Sequence, residues 1–133
     1  MTPFGARLRV LRAERGVTLK QLAAELQISA AYLSALEHGK RGAPGAGLVH
    51  QVNEFFGLIW DAAEDMAGLA RLSHPRVTVN TAVLTPEQTA LANRIAHSIH
   101  RLEPETVAAM HALLDTTARQ PKPRLRRAAG SER

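Results

Sequence analysis

The sequence contains no cysteine, which excludes disulfide bonds and thiolate metal sites and agrees with a reducing compartment. No apolar run approaches the roughly 20 residues that a membrane-spanning helix requires. The first thirty residues lack the continuous apolar stretch of a secretory signal peptide. We therefore expect a soluble cytoplasmic protein with no membrane partner.

Aromatic residues make up only 4% of the 133 residues and β-branched residues are sparse, whereas alanine and leucine dominate. This composition favours helices over strands. An apolar fraction of 45% is sufficient for a core, and the length suits one domain, or one small domain with an appendage. The composition therefore predicts an all-α protein.

The net charge of +5 is unevenly distributed. Residues 1–41 carry seven Arg or Lys against three acids, residues 42–72 are acidic, and residues 119–133 carry six Arg or Lys against one Glu. A basic surface of this kind suggests a polyanionic partner. The alternative is a soluble protein with a solvated, disordered tail, and charge alone does not decide between the two.

Apolar spacing and capping residues predict where the helices lie. The first is expected at 3–15, the next two at 19–26 and 30–38, the fourth up to Phe56 and the fifth at 59–71 with Trp60 on its apolar face. Residues 74–84 alternate and predict an extended arm or a short strand. Two further helices are expected at 86–102 and from Pro104 to about residue 117, before a tail rich in Pro, Arg and Lys.

The second and third helices are too short to be stable alone and are separated by only three residues, 27–29. The flanking helices must therefore bury the apolar side chains of these two helices. The third helix, supported in this way, forms a convex ridge that fits a DNA major groove about 12 Å wide. This arrangement is a helix-turn-helix.

The motifs are specific enough to identify a family. Residues 4–57 resemble the Cro/lambda-repressor type helix-turn-helix of the XRE family of bacterial and phage regulators, and residues 58–72 resemble its fifth helix. The resemblance is carried by LRxxRG (11–16), TLKQLA (18–23), IS (28–29) and YLSALEHGKR (32–41). It implies a five-helix, lambda-repressor-like DNA-binding domain, here expected at 1–72.

The resemblance also implies which residues contact double-stranded DNA. They are Thr18, Lys20, Gln21, Ser29, Ala30, Ala31, Tyr32, Ser34, His38, Lys40 and Arg41. Two positions depart from the family pattern. Leu19 stands where a glutamine usually contacts phosphate, so Lys20 or Gln21 must substitute for it. Gln27 replaces the usual turn glycine, which predicts a non-glycine residue at positive φ.

Ala30 and Ala31 cannot make the bidentate hydrogen bonds that distinguish bases, although their methyl groups can pack on thymine methyls. Specificity would then depend on Tyr32, Ser34, His38 and DNA shape. The alternative is that this helix no longer contacts DNA and binds a protein instead.

The family also implies a buried ion pair between Arg12 and Glu37, which would tie the first helix to the third. From the residues alone, Glu37 follows apolar Leu36 near the helix end, where an unpaired buried carboxylate would be costly. An exposed Glu37 is the alternative.

An apolar stripe follows the helices predicted in residues 73–118. It includes Leu91, Ile95, Ile99, Leu102, Met110 and Leu113. The stripe could pack on the fifth helix as core, but we favour a two-fold dimer interface, because a dimer binds two half-sites about one helical turn apart.

We expect no enzymatic activity, cofactor or metal. No nucleophile–base arrangement is visible, and His97, His100 and His111 lack a carboxylate or cysteine to complete a metal site. The function predicted is a homodimeric, sequence-specific repressor that binds a palindromic operator on the nucleoid. The alternatives are an activator that contacts RNA polymerase, an antitoxin or adaptor that binds a protein through residues 74–117, and a non-specific nucleoid protein.

Overall fold

The computed structural model describes residues 1–118, and over these residues the chain is helical and contains no strand. The helices are α1 (Pro3–Arg15), α2 (Leu19–Leu26), α3 (Ala30–Glu37), α4 (Ala46–Phe56), α5 (Asp61–Arg71), α6 (Pro86–Ser98) and α7 (Pro104–Ala118), with a 3₁₀ turn at Ile99–Arg101. The predicted all-α fold, with five N-terminal helices followed by C-terminal ones, is confirmed. The predicted basic tail, 119–133, lies outside the described residues.

The chain separates into two compact units, one covering residues 1–78 and the other starting at Val79. The N-terminal unit contains α1 to α5, and its division from the second unit falls six residues after the predicted boundary at 72. Residues 74–84 form no regular element. The short-strand alternative for this segment is wrong, because the described residues offer no second strand to pair with it.

Polar caps set the ends of the first two helices. The Thr2 hydroxyl accepts a hydrogen bond from Gly5 N at 3.0 Å, and Gly16 ends α1 with φ 66°. Thr18 and Gln21 form the predicted capping box at the start of α2, where each side chain bonds the other residue's amide. These local signals explain why the predicted bounds of α1 and α2 match the structure.

All five helices of the N-terminal unit contribute to one apolar core. Its buried members are Phe4, Leu8, Leu22, Ala23, Leu26, Leu33, Leu36, Val49, Val52, Phe56, Met66 and Ala70. Burying a large apolar side chain contributes about 1.5–3 kcal/mol. The eight-residue helices α2 and α3 are therefore held by packing against their neighbours rather than by their own helical propensity.

The prediction for the start of the fifth helix is wrong. Trp60 is 84% exposed and has φ 53°, so it lies outside the helix and off the core, and α5 begins at Asp61. The reason is that Gly57 and Leu58 complete the end of α4, where Leu58 N donates to Asn53 O at 2.8 Å. At Trp60 the backbone is not helical, with φ 53° and ψ −124°, so the next helix starts only after it.

In the second unit, α6 starts at a capping box formed by Thr85 and Gln88, with Pro86 in the first turn. The helix ends at Ser98 rather than at the predicted residue 102. The chain continues as the 3₁₀ turn Ile99–Arg101, and Leu102 after it is already extended with ψ 136°. Among the helices that the structure describes, none combines the length and apolar character needed to traverse a bilayer.

Candidate nucleic-acid interface

Helices α2 and α3 are joined by a tight turn at residues 27–29. Gln27 adopts φ 61°, which confirms the predicted positive φ at a non-glycine residue. Ser29 then caps α3, and its hydroxyl accepts a hydrogen bond from Tyr32 N at 3.0 Å. Below the turn, Leu26 and Leu33 are buried in the core. The turn therefore fixes α3 relative to α2 through both a backbone conformation and shared packing.

The C-terminal end of α3 is fixed by α1. Thr2 N donates to Glu37 O at 2.9 Å, and Arg12 Nη2 lies 3.3 Å from Glu37 Oε2. The Glu37 side chain is only 3% exposed and that of Arg12 is 15% exposed, so the pair lies in the protein interior. Gly5 allows this approach, because a Cβ at that position would come within 2.2 Å of Glu37 O.

The opposite face of α3 is open to solvent. Of the predicted DNA-contacting residues, nine are exposed: Thr18, Lys20, Gln21, Ser29, Ala31, Tyr32, His38, Lys40 and Arg41. Ala30 and Ser34 are half-buried, and Ala30 packs against the core. These exposed residues lie at the start of α2, along α3 and in the loop after it, and α2 packs against α3.

Three cationic side chains of this surface, Lys20, Lys40 and Arg41, are exposed. The carboxylate of Glu37 is turned away from it and buried against Arg12. A buried and paired carboxylate does not repel an approaching polyanion as a free one would. The surface therefore has the charge that suits the phosphate backbone of a nucleic acid.

Two side-chain contacts order residues at the end of α3. The Arg41 guanidinium lies over the Tyr32 ring, 5.5 Å from its centre. His38 Nδ1 lies 2.9 Å from Ser34 O; because a carbonyl can only accept, the ring donates from Nδ1. This leaves Nε2 of His38 free to face a partner. The Arg41–Tyr32 contact has no signal in the sequence, because nine positions separate the residues and Gly39 bends the chain between them.

Residues 1–118 contain no group of three His, Asp or Glu side chains that could hold a metal ion. His97 Nδ1 donates to Asn93 O, 2.8 Å away, within its own helix. His100 lies instead in the 3₁₀ turn after α6, and His111 lies on α7.

The geometry described above is that of a helix-turn-helix protein. Residues 3–65 match a family model described as a helix-turn-helix domain. This match confirms the prediction of a helix-turn-helix in this part of the chain. The helix-turn-helix class is not enzymatic, in agreement with the prediction that these residues carry no catalytic site.

Two relatives from Bacillus subtilis (strain 168) are similar to the chain. The HTH-type transcriptional repressor RghR is 36% identical over 74 residues, which are 56% of this chain and 55% of that protein. The uncharacterized HTH-type transcriptional regulator RghRB is 52% identical over 44 residues, or 33% of this chain and 32% of that protein. The chain thus spans about half or less of the length of these relatives. No solved structure matches it.

Proposed function

We propose that the protein is a sequence-specific transcriptional repressor that binds double-stranded DNA as a homodimer. The observation that carries this proposal is the solvent-exposed face of α3, which presents Ala31, Tyr32 and His38 while Leu33 and Leu36 anchor the helix in the core. A helix held in this way can enter a major groove without unfolding its supports. The similarity to a named repressor supports the same activity.

The base contacts belong to the exposed part of α3. Tyr32 and His38 offer a hydroxyl and a ring nitrogen to base edges, and the Ala31 methyl can pack on a thymine methyl. Lys20, Lys40 and Arg41 would contact phosphates and set the orientation of the helix in the groove. Because few of these side chains can make bidentate contacts, we expect DNA shape to contribute to specificity.

The dimer is supported by the surface of the second unit. Leu91, Ile99, Leu113 and Leu114 are each more than half exposed in the described chain. Exposed apolar side chains on successive helices are typical of an association surface. A two-fold dimer would bind a palindromic operator, and a repressor of this kind blocks RNA polymerase by occupying the promoter.

Selection of binding sites from random duplexes, followed by fluorescence anisotropy at one salt concentration, tests this function. We expect a palindromic site that binds at least about a thousandfold more tightly than random DNA. Equal affinity for both would indicate a non-specific nucleoid protein. No binding to any duplex at low salt would overturn the proposal and leave an adaptor or antitoxin, whose protein partner would occupy the exposed apolar surface.

A further inference from the structure

A second group of basic side chains lies beside the loop that follows α3. Lys40, His74 and Arg76 line one open cleft of about 440 Å³, whose other walls are Gly39, Gly42 and Pro75. All three basic side chains are exposed, and no carboxylate is among the residues that line this cleft. The cleft therefore has the chemistry of an anion site.

The segment that carries His74 and Arg76 is fixed on both sides of His74. Ser73 is 2% exposed, and its hydroxyl accepts a hydrogen bond from Phe4 N at 2.9 Å while donating to Leu69 O at 2.6 Å. Pro75 covers Gly39, since a Cβ at that glycine would lie 3.5 Å from Pro75 Cβ. The segment is thus attached both to the core and to the loop after α3.

Lys40 links this cleft to the candidate DNA surface. Its amide donates to Ala35 O at 2.8 Å, which closes the end of α3 and fixes the start of the loop. DNA carries about one negative charge per 1.7 Å of helix axis. A duplex held by α3 with Lys40 on a phosphate therefore presents further phosphates next to the same loop.

We propose that His74 and Arg76, together with Lys40, bind a backbone phosphate that flanks the base pairs contacted by α3. This inference rests on the proposed DNA-binding function and extends it to a segment that the sequence pattern identifies only as a linker. The Arg76 guanidinium can bind a phosphate through two parallel N–H donors, and the His74 ring can add a third. The contact is independent of base sequence.

The test compares the full-length protein with Arg76→Ala in salt titrations and in ethylation-interference footprints on a selected site. Loss of one phosphate contact lowers the salt slope by about 0.9 per protomer, or about 1.8 for a dimer. The affinity ratio of the wild type to the variant should then shrink about tenfold between about 50 and 200 mM salt. In the footprint, a flanking phosphate should become insensitive to ethylation while the inner phosphates stay sensitive.

Arg7→Ala is the matched control. Arg7 is an exposed arginine of the same unit, but it lines a different cleft with Glu64 and Asp65. Its removal changes the net charge equally and should leave the footprint unchanged. Circular dichroism checks that both variants fold.

The outcomes separate this inference from the proposed function. If the wild-type protein binds no DNA, the proposed function fails. If it binds its site normally but Arg76→Ala keeps the wild-type salt slope and footprint, or loses no more affinity than Arg7→Ala, the additional phosphate contact is refuted while the function stands.

Discussion

The contact between Arg41 and Tyr32 joins two residues with different expected roles. Arg41 is expected to contact phosphate and Tyr32 to contact bases, yet the guanidinium lies 5.5 Å from the ring centre. An exposed cation–π contact is worth about 0.5–1 kcal/mol. The ring therefore orients the guanidinium, and the guanidinium in turn restricts the ring.

This coupling predicts non-additive effects on DNA binding. Arg41→Ala should weaken binding to cognate and random DNA alike and lower the salt slope by about one unit per protomer. Tyr32→Ala should change the sequence preference and also remove part of the Arg41 contribution. The double variant should then lose about 0.5–1 kcal/mol less than the sum of the single losses.

Fluorescence anisotropy on cognate and random duplexes measures the affinities of the wild type, the two single variants and the double variant. Binding-site selection measures the sequence preference of each protein. Tyr32→Ala combined with Lys40→Ala is the control, because Lys40 has no stacking contact with the ring, and its effects should add. Strict additivity for Tyr32 and Arg41 would show that the two side chains act independently. An unchanged preference in Tyr32→Ala would refute its role in base contacts.

Gly5 is a residue whose role is steric. A Cβ there would lie 2.2 Å from Glu37 O, and both atoms belong to regular helices that cannot move freely. Gly5→Ala should therefore lower the free energy of unfolding by about 1–3 kcal/mol. Chemical denaturation measures the change.

Gly68→Ala provides the comparison for Gly5. Gly68 lies in the middle of α5, and a Cβ there would meet only the flexible end of Arg71 at 3.7 Å. The substitution should raise the free energy of unfolding by about 0.5–1 kcal/mol, because alanine loses less backbone entropy than glycine. Equal effects at the two positions would contradict the close approach of α1 to the end of α3.

At the scale of elements, the turn between α2 and α3 retains local strain. Gln27 occupies the left-handed region at φ 61°, which costs a side-chain-bearing residue about 1–2 kcal/mol. Gln27→Gly removes this cost but adds backbone entropy to the unfolded state. We expect a net stabilisation of about 0.5–1 kcal/mol in chemical denaturation.

Gln51→Gly is the control for the turn. Gln51 is exposed inside α4, where glycine should cost about 1 kcal/mol. The two Gln→Gly variants should therefore change stability in opposite directions. If Gln27→Gly is destabilising, the turn is not strained in the way its backbone angle indicates.

Most helix bounds could be predicted from the sequence because they depend on local chemistry. Thr18, Ser29 and Thr85 each provide a hydroxyl at a helix start, and glycines 16 and 57 end helices at positive φ. The start of α5 could not be predicted in this way. It depends on the non-helical backbone of Trp60, at φ 53°, which apolar spacing does not encode.

The candidate interface was predictable to a similar extent. The motif identified residues of α2, α3 and the following loop, and the structure leaves most of them exposed. The half-burial of Ala30, the Arg41–Tyr32 contact and the cleft beside His74 were not predictable. Each depends on side-chain contacts that apolar spacing does not encode, and the alternation in 74–84 predicted an extended arm or a short strand instead.

Across the molecule, the evidence for a role differs between the two units. The family match covers residues 3–65, within the N-terminal unit. The role of the second unit must therefore be inferred from its surface. No side chain of α6 is buried in the described chain, although the helix carries Leu91 and Ile95. A helix of this composition is expected to bury its apolar face against a partner.

This surface predicts the effect of charges placed on α6 and on the 3₁₀ turn after it in the full-length chain. Leu91 is 54% exposed and Ile99 is 59% exposed, so Leu91→Asp and Ile99→Asp should leave the N-terminal unit folded. A charge buried in a dimer interface is strongly destabilising. The double variant should therefore sediment as a monomer where the wild type is a dimer. Because a dimer engages both half-sites at once, the variant should lose about 100-fold or more in affinity for a palindromic site.

Asn93→Asp tests whether the effect is specific to the apolar stripe. Asn93 is exposed on the opposite side of α6, about half a helical turn from Leu91 and Ile95. A new carboxylate there should change neither the mass that sedimentation reports nor the affinity for the palindromic site. A wild-type protein that is monomeric at all concentrations would contradict the dimer directly. A wild-type dimer that survives Leu91→Asp and Ile99→Asp would place its interface elsewhere, and the exposed stripe would then be available to a different protein.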